Sequence, residues 1–421
     1  MHRGGLFTIF LIIAAITLVF DWYVFSGLKT FTSDWQSTKA RQIVLWGYLM
    51  ISVGVTILFV CGLGSFSHAR GMTPYHEYIL SLFITFLVTK LVFVIVLSLG
   101  DLGRFLYGIG NSVTKHNDKS TEPFFPSRRK FISELAILLA AFPFTSFIYA
   151  MVRGKYDYKV HRETIYFDGL PEAFDGFTIT QISDIHSGSF DNTAAVQRGI
   201  DLANAQKSDL FVFTGDLVNN AAWEIEQYIP NFKQLKAPYG QYSILGNHDY
   251  GDYIQWNSEA EKAANLDKLK QHHKELGYRL LLDESVELEK DGQKISLIGV
   301  QNWGRGFIQI GDLDKALKDV DENAFKILLS HDPTHWEDKV RFNTTNIDLT
   351  LAGHTHGAQF GVETAGFRWS PVQYKYVDWA GLAHHNNRYL YVNRGFGFLA
   401  FSGRLGIWPE VTVITLKKKV A

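Results

Sequence analysis

With 421 residues the chain has room for two domains, and a net charge of −1 from 41 basic and 42 acidic side chains leaves no global field to draw it onto nucleic acid. A single cysteine, Cys61, excludes an internal disulfide and a cysteine-built zinc site. The 47% hydrophobic content averages a strongly apolar first third with a mixed remainder, so the chain divides into 1–152 and 153–421.

Four apolar stretches come first, at 6–25, 43–63, 78–99 and 131–152. Each is close to the roughly 20 residues that a helix needs to cross a bilayer core. The fourth contains Glu134 and Pro143 yet keeps the length and apolar density of a span. A cleaved signal peptide is the alternative for the first, but three further runs fit an anchor better. Trp22, Tyr23, Trp46 and Tyr78 lie near span ends, where aromatic rings settle at the interface or pack between helices.

Topology follows from the short loops. Lys29, Lys39 and Arg41 separate the first two spans, and Arg104, Lys115, Lys119, Arg128, Arg129 and Lys130 the last two, against Arg3 and Arg70 on the opposite side. The positive-inside rule puts the richer loops in the cytoplasm and the C-terminal domain outside it, as expected for a bacterial inner-membrane protein. Ser127-Arg128-Arg129-Lys130-Phe131-Ile132 resembles a twin-arginine export motif and serves equally as a basic stop at a membrane face.

Beyond residue 158, β-rich runs at 177–182, 210–214, 242–245, 295–300, 325–329, 349–352, 389–392 and 411–416 alternate with helical runs at 193–205, 223–235, 258–276 and 313–320. This alternation predicts an α/β core with buried strands. The strand ends are more informative. They read Ser183-Asp184-Ile185-His186, Gly215-Asp216-Leu217-Val218-Asn219, Gly246-Asn247-His248-Asp249, Ser330-His331-Asp332 and Gly353-His354-Thr355-His356-Gly357. Carboxyl ends of strands in open α/β sheets converge on one crevice, so five ends would pool carboxylate, amide and imidazole groups. Such a set without thiolate suits two divalent manganese, iron or zinc ions, manganese foremost, which together activate water against a phosphoryl group.

These blocks, in this order from about 177 to 398, resemble the calcineurin-like metallophosphoesterases. Gly353 to Gln359 and Val392-Asn393-Arg394-Gly395-Phe396-Gly397 are similar to the family's membrane-associated bacterial branch. The resemblance implies a four-layer αββα sandwich behind an all-α transmembrane region. It assigns Asp184, His186 and His356 to one metal, Asn247, His331 and His354 to the other, and Asp216 to both. It gives His248 the role of protonating the leaving oxygen, oriented by Asp249 or another carboxylate. The implied substrate is a phosphodiester or pyrophosphate, lipid-linked or from the envelope, with a non-catalytic membrane sensor as the rival reading.

The protein Ser/Thr phosphatases of this superfamily have an arginine where this chain has Asn220, so phosphoproteins are disfavoured and Arg394 becomes the candidate accessory phosphate contact, or an ordinary surface pair. The branch usually has Gly at position 358, and the methyl of Ala358 costs little unless φ there is positive. Asp332 reads as a turn cap. His272-His273 and Lys417-Lys418-Lys419 read as solvated surface. Phe360, Phe367, Trp369, Tyr374 and Tyr376 form either an apolar wall for a lipid tail or a core.

Overall fold

A computed structural model describes residues 3–68, 71–114 and 126–419. It divides into a helical membrane unit ending at Tyr149 and a second unit formed by 71–74 with 150–419. Arg70, Lys115 and Lys119, among the basic residues read for topology, lie outside the described residues.

The membrane unit is built from α1 (Arg3–Phe31), α2 (Thr38–His68), α3 (Pro74–Thr114) and α4 (Pro126–Val152), the first residue of α3 and the last three of α4 falling in the second unit. All four carry windows long and apolar enough to cross a bilayer. Large apolar side chains such as Ile43, Met50, Leu138 and Phe142 are about 70% exposed or more. Polar groups sit inside instead. Lys90 meets Asp21 at 2.9 Å, and the hydroxyls of Tyr48 and Ser52 donate to the same carboxylate at 2.7 Å. Apolar outside with satisfied charge inside is the arrangement that hydrocarbon solvent imposes.

The second unit is a sandwich of two six-stranded sheets. The first runs in the order β1 (Lys159–Phe167), β14 (Glu410–Lys418), β2 (Thr178–Ile182), β3 (Leu210–Phe213), β4 (Gln241–Ser243), β5 (Arg279–Leu280). The other is ordered β12 (Gly381–His385), β13 (Arg388–Val392), β9 (Leu349–Ala352), β8 (Lys326–Leu329), β7 (Gln293–Gly299), β6 (Glu284–Lys290). A small hairpin, β10 (Val362–Thr364) with β11 (Phe367–Trp369), stands apart. Strands β2, β3, β4 and β5 are parallel, as are β13, β9, β8 and β7.

Strands β3, β8 and β9 are buried on both faces, which is why they read as continuous apolar runs. Ile179, Leu210, Val212 and Ile244 of the first sheet interlock with Leu297, Ile327, Leu329 and Leu351 of the second. Outside the first sheet pack α5 (Thr193–Asn204), α6 (Ile229–Phe232) and α7 (Glu259–Leu276), and outside the second α8 (Leu313–Leu317) and α9 (Pro333–Asp338). The result is the four-layer αββα order.

All eight anticipated strands are present. The helix expected at 223–235 is instead a 3-10 turn, Ala222–Tyr228, followed by the short α6. His272 and His273 are also corrected: both are buried, His273 with its Nδ1 2.9 Å from the Ser243 hydroxyl. Burial pushes the His273 imidazole down to about 3, so it packs neutral.

Candidate metal centre

The loops that leave β2, β3, β4, β8 and β9 meet at one edge of the sandwich. Beneath them the Gln181 side-chain amide donates across the sheets to the Ala352 carbonyl at 2.8 Å. The loops also hold one another: Asp184 N–H donates to Gly215 O (2.9 Å), His186 N–H to Asp216 O (3.1 Å) and Gly353 N–H to His331 O (2.9 Å). Such close approach requires glycine at 353, where a Cβ would lie 1.9 Å from the Ser183 hydroxyl oxygen.

Asp184, His186, Asp216, His354 and His356 all have left-handed backbones, with φ between 46° and 73°. Each costs of order 1–3 kcal/mol in a non-glycine residue and persists because the surrounding loops over-determine it. Successive ligands are thereby turned to one side of the sheet edge.

Two groups of potential ligands result: Asp184, His186 and His356, and Asp216, His331 and His354. Asp216 stands between them, its Oδ2 3.5 Å from His186 Nε2 and 3.1 Å from His331 Nε2. His356 Nε2 is 3.3 Å from Asp184 Oδ1. Asn247 joins the second group, its Oδ1 2.9 Å from His354 Nδ1, while its amide nitrogen donates to the Tyr253 hydroxyl at 2.7 Å.

Electrostatics test whether these residues fit cations. His186 Nε2 and His331 Nε2 are buried without any hydrogen-bond partner, and both face Asp216. Burial drives His186 to about 3 and His354 to about 4, and pushes His356 down as well, leaving neutral imidazoles suited to ligation. Burial opposes a proton on His331 too, but the Asp216 carboxylate outweighs it and raises this group to about 10. The cluster therefore demands positive charge, and a cation would displace that proton. The donor set fits two divalent ions.

Outer contacts orient the ligands. His331 Nδ1 lies 2.7 Å from the Thr214 carbonyl, and His354 Nε2 faces the Tyr376 hydroxyl at 2.8 Å and Asp332 at 3.4 Å. Asp332 both caps α9 and points its second oxygen toward the site. The buried Arg404 donates to the His356 and Gly397 carbonyls and reaches His356 Nδ1 at 3.1 Å. Sequence reasoning missed Arg404, which sits in no ligand block, and the Asn219 carbonyl, which closes the Asp216 block but acts through its backbone, where residue type gives no signal.

His248 stands beside the centre, its ring 4.9 Å from that of His186. Its Nδ1 is 2.6 Å from the Asn219 carbonyl, which can only accept, so this nitrogen carries the hydrogen and Nε2 is left for substrate chemistry. Burial lowers the imidazole, with Asp216 working in the opposite direction. The expected partnership with Asp249 is corrected: that carboxylate is buried and accepts from the backbone N–H groups of Gly246, Asp216 and Leu217 at 2.8–3.0 Å. Burial and the Asp216 charge raise Asp249 to about 7. It shapes the loops and does not touch the His248 ring.

Arg394 is also placed differently. It is buried, with its guanidinium committed to Glu410 at 2.6 Å and Glu363 at 2.5 Å, and does not present a free cation to a phosphate. Its three-residue neighbourhood still serves the site, since Phe396 and Gly397 N–H groups donate to the Ser183 and Asp184 carbonyls at 2.7 and 2.8 Å. Of the aromatic set, Tyr376 is buried against His354, whereas Phe367 and Tyr374 are exposed at 58% and 80%.

Comparison with known proteins agrees with this geometry. Residues 6–155 match the family described as a probable calcineurin-like phosphoesterase transmembrane domain, and 177–358 match calcineurin-like phosphoesterase. The uncharacterised metallophosphoesterase YkuE of Bacillus subtilis is 31% identical over 69% of this chain and 98% of its own length. An uncharacterised metallophosphoesterase of Helicobacter pylori strain 26695 is 26% identical over 97% of this chain and 99% of its own. Phosphodiesterase YaeI of Escherichia coli is 26% identical over 69% and 99% respectively. The chain is thus an integral membrane protein of the calcineurin-like metallophosphoesterase family, its phosphoesterase domain preceded by four membrane-crossing helices.

Proposed function

We propose that this protein hydrolyses a phosphodiester or pyrophosphate bond in a lipid or cell-envelope compound, at a site outside the cytoplasm of a bacterial inner membrane. The observation that carries the reading is Asp216, which lies within 3.5 Å of His186 Nε2 and His331 Nε2, one nitrogen from each ligand group, both buried without a hydrogen-bond partner. Asp184, His186 and His356 would hold one divalent ion, Asn247, His331 and His354 the other, with Asp216 shared and manganese favoured. When bound, such a pair clamps a phosphoryl group and supplies hydroxide near neutral pH.

The chain's own residues do the rest. His248, its tautomer set by Asn219, delivers a proton from Nε2 to the leaving oxygen, and an entering phosphate anion raises its affinity for that proton. Asp249 keeps the loops bearing Asp216 and Asn247 in register. Exposed Phe367 and Tyr374 near the last ligand loop support a substrate with an apolar part. The similarity to a protein named a phosphodiesterase, YaeI, favours the diester.

The full chain, purified in detergent with manganese, should cleave an aryl phosphodiester. Asp216→Asn should abolish turnover, and an Asp216→Asn variant with intact activity overturns the assignment. Substrate identity is read by incubating the loaded protein with membrane phospho-compounds and following released phosphate. A reporter fused after Ala421 that works only outside the cytoplasm should be active.

A further inference from the structure

At the ends of the third and fourth spans, the membrane unit encloses a cavity of about 460 Å³. Its walls include Leu97, Phe131 and Ile132, and its polar rim is Asp101, Arg104 and Arg129. Arg129 is the first residue of the fourth apolar window, and Arg104 lies near the end of the third, which closes at Gly110. Both guanidinium groups therefore stand where apolar helix gives way to the interface, the level of lipid phosphates.

The rim is not neutral. Asp101 pairs with Arg104 and also accepts from the Tyr23 hydroxyl at 2.7 Å. Arg129 has no carboxylate partner among the described residues, and its guanidinium donates to the Ser26 hydroxyl at 3.1 Å. Two cations and one anion leave one positive charge, which matches the single negative charge of a phosphodiester. Phe131 in the wall, and Leu102, Phe105 and Leu106 on the adjoining stretch of α3, are more than half exposed. A free phosphate has no use for such a collar, whereas acyl chains would cover it.

We propose that this cavity binds the headgroup of an anionic phospholipid, its phosphate held by Arg104 and Arg129 and its chains lying against Phe131 and the apolar face of α3. The site lies wholly in the membrane unit and is independent of the metal centre. It would tie the protein to membranes rich in acidic lipid.

The test is native mass spectrometry of the full chain with phosphatidylglycerol or phosphatidylcholine of identical acyl chains. The wild type should retain phosphatidylglycerol about fivefold better, the size set by one unbalanced basic charge at the surface. The combined Arg104→Gln and Arg129→Gln substitutions should erase that preference. Because losing two rim charges could disturb the helices, Gly103→Leu provides a second arm. A Cβ at Gly103, a cavity-lining helical position, meets nothing within 4 Å, so the leucine side chain starts in open space at the cavity wall and leaves the rim charges in place. This variant should lose retention too, while Lys130→Gln, which removes a basic residue paired with Asp34, should not. Equal retention of both lipids, unchanged retention in Gly103→Leu, or displacement by soluble glycerol phosphate would each overturn the proposal.

Discussion

Replacing His248 with alanine separates proton delivery from metal binding. The backbone N–H of residue 248 donates to Asp216 Oδ1 at 2.8 Å and does not depend on the side chain, so the shared carboxylate keeps its position. Removing the imidazole takes away a positioned acid whose Nε2 is the only ring nitrogen left after Nδ1 meets Asn219. The expected loss is about a hundred- to ten-thousand-fold in kcat for a substrate with an alkyl leaving group, or roughly 3–5 kcal/mol of barrier. An aryl leaving group departs as a stable anion and needs little protonation, so its loss should stay near or below about tenfold. The assay is steady-state hydrolysis of a matched aryl and alkyl diester, with metal content measured on the same samples. Equal losses on both substrates, or loss of metal, would refute His248 as the acid.

Asp216→Asn places an amide nitrogen toward His186 or His331, and should weaken metal retention by more than the roughly 10–100-fold typical of outer partners, read by metal analysis after dialysis. In chelator-stripped protein, His331 holds its proton up to about pH 10, against about 6.5 when unfolded. Its contribution is therefore fully present below 6.5 and lost as pH rises toward 10. Urea midpoints should fall across pH 7.5–10, and metal loading should remove that slope. Ala358 sits at φ 50°, the condition under which its methyl is costly. Ala358→Gly should stabilise the protein by about 1 kcal/mol, a rise of about 1–3 °C in thermal midpoint by calorimetry.

Sequence legibility followed burial. The eight strands found from sequence end at or lie beside the metal loops or run through the core, where both faces must be apolar. Strand β1 was missed because its polar, half-exposed pattern averages away, and β10 to β12 because they are short or carry polar residues. The helix α9 has only six residues, too few for a period to show.

All seven proposed ligands gather because each follows a strand end, and strand ends share a location. Arg394 failed for the opposite reason. Its partner Glu410 lies sixteen residues away at the start of β14, and nothing local announces a buried ion pair. The buried His272-His273 pair did leave a signal: spacing of three and four residues from Leu269 and Leu276 puts these residues on the helix's packed side.

The candidate ligands are not all drawn from one sheet. Asp184, His186, Asp216 and Asn247 follow strands of the first, and His331, His354 and His356 strands of the second. Two cations at that edge would act as rivets through the sandwich. Each ion held at a hundred times its dissociation constant would add about 2.7 kcal/mol against unfolding. Metal supply would then set how long the protein survives as well as how fast it works, and starvation for metal would open the sandwich at the edge where substrate enters.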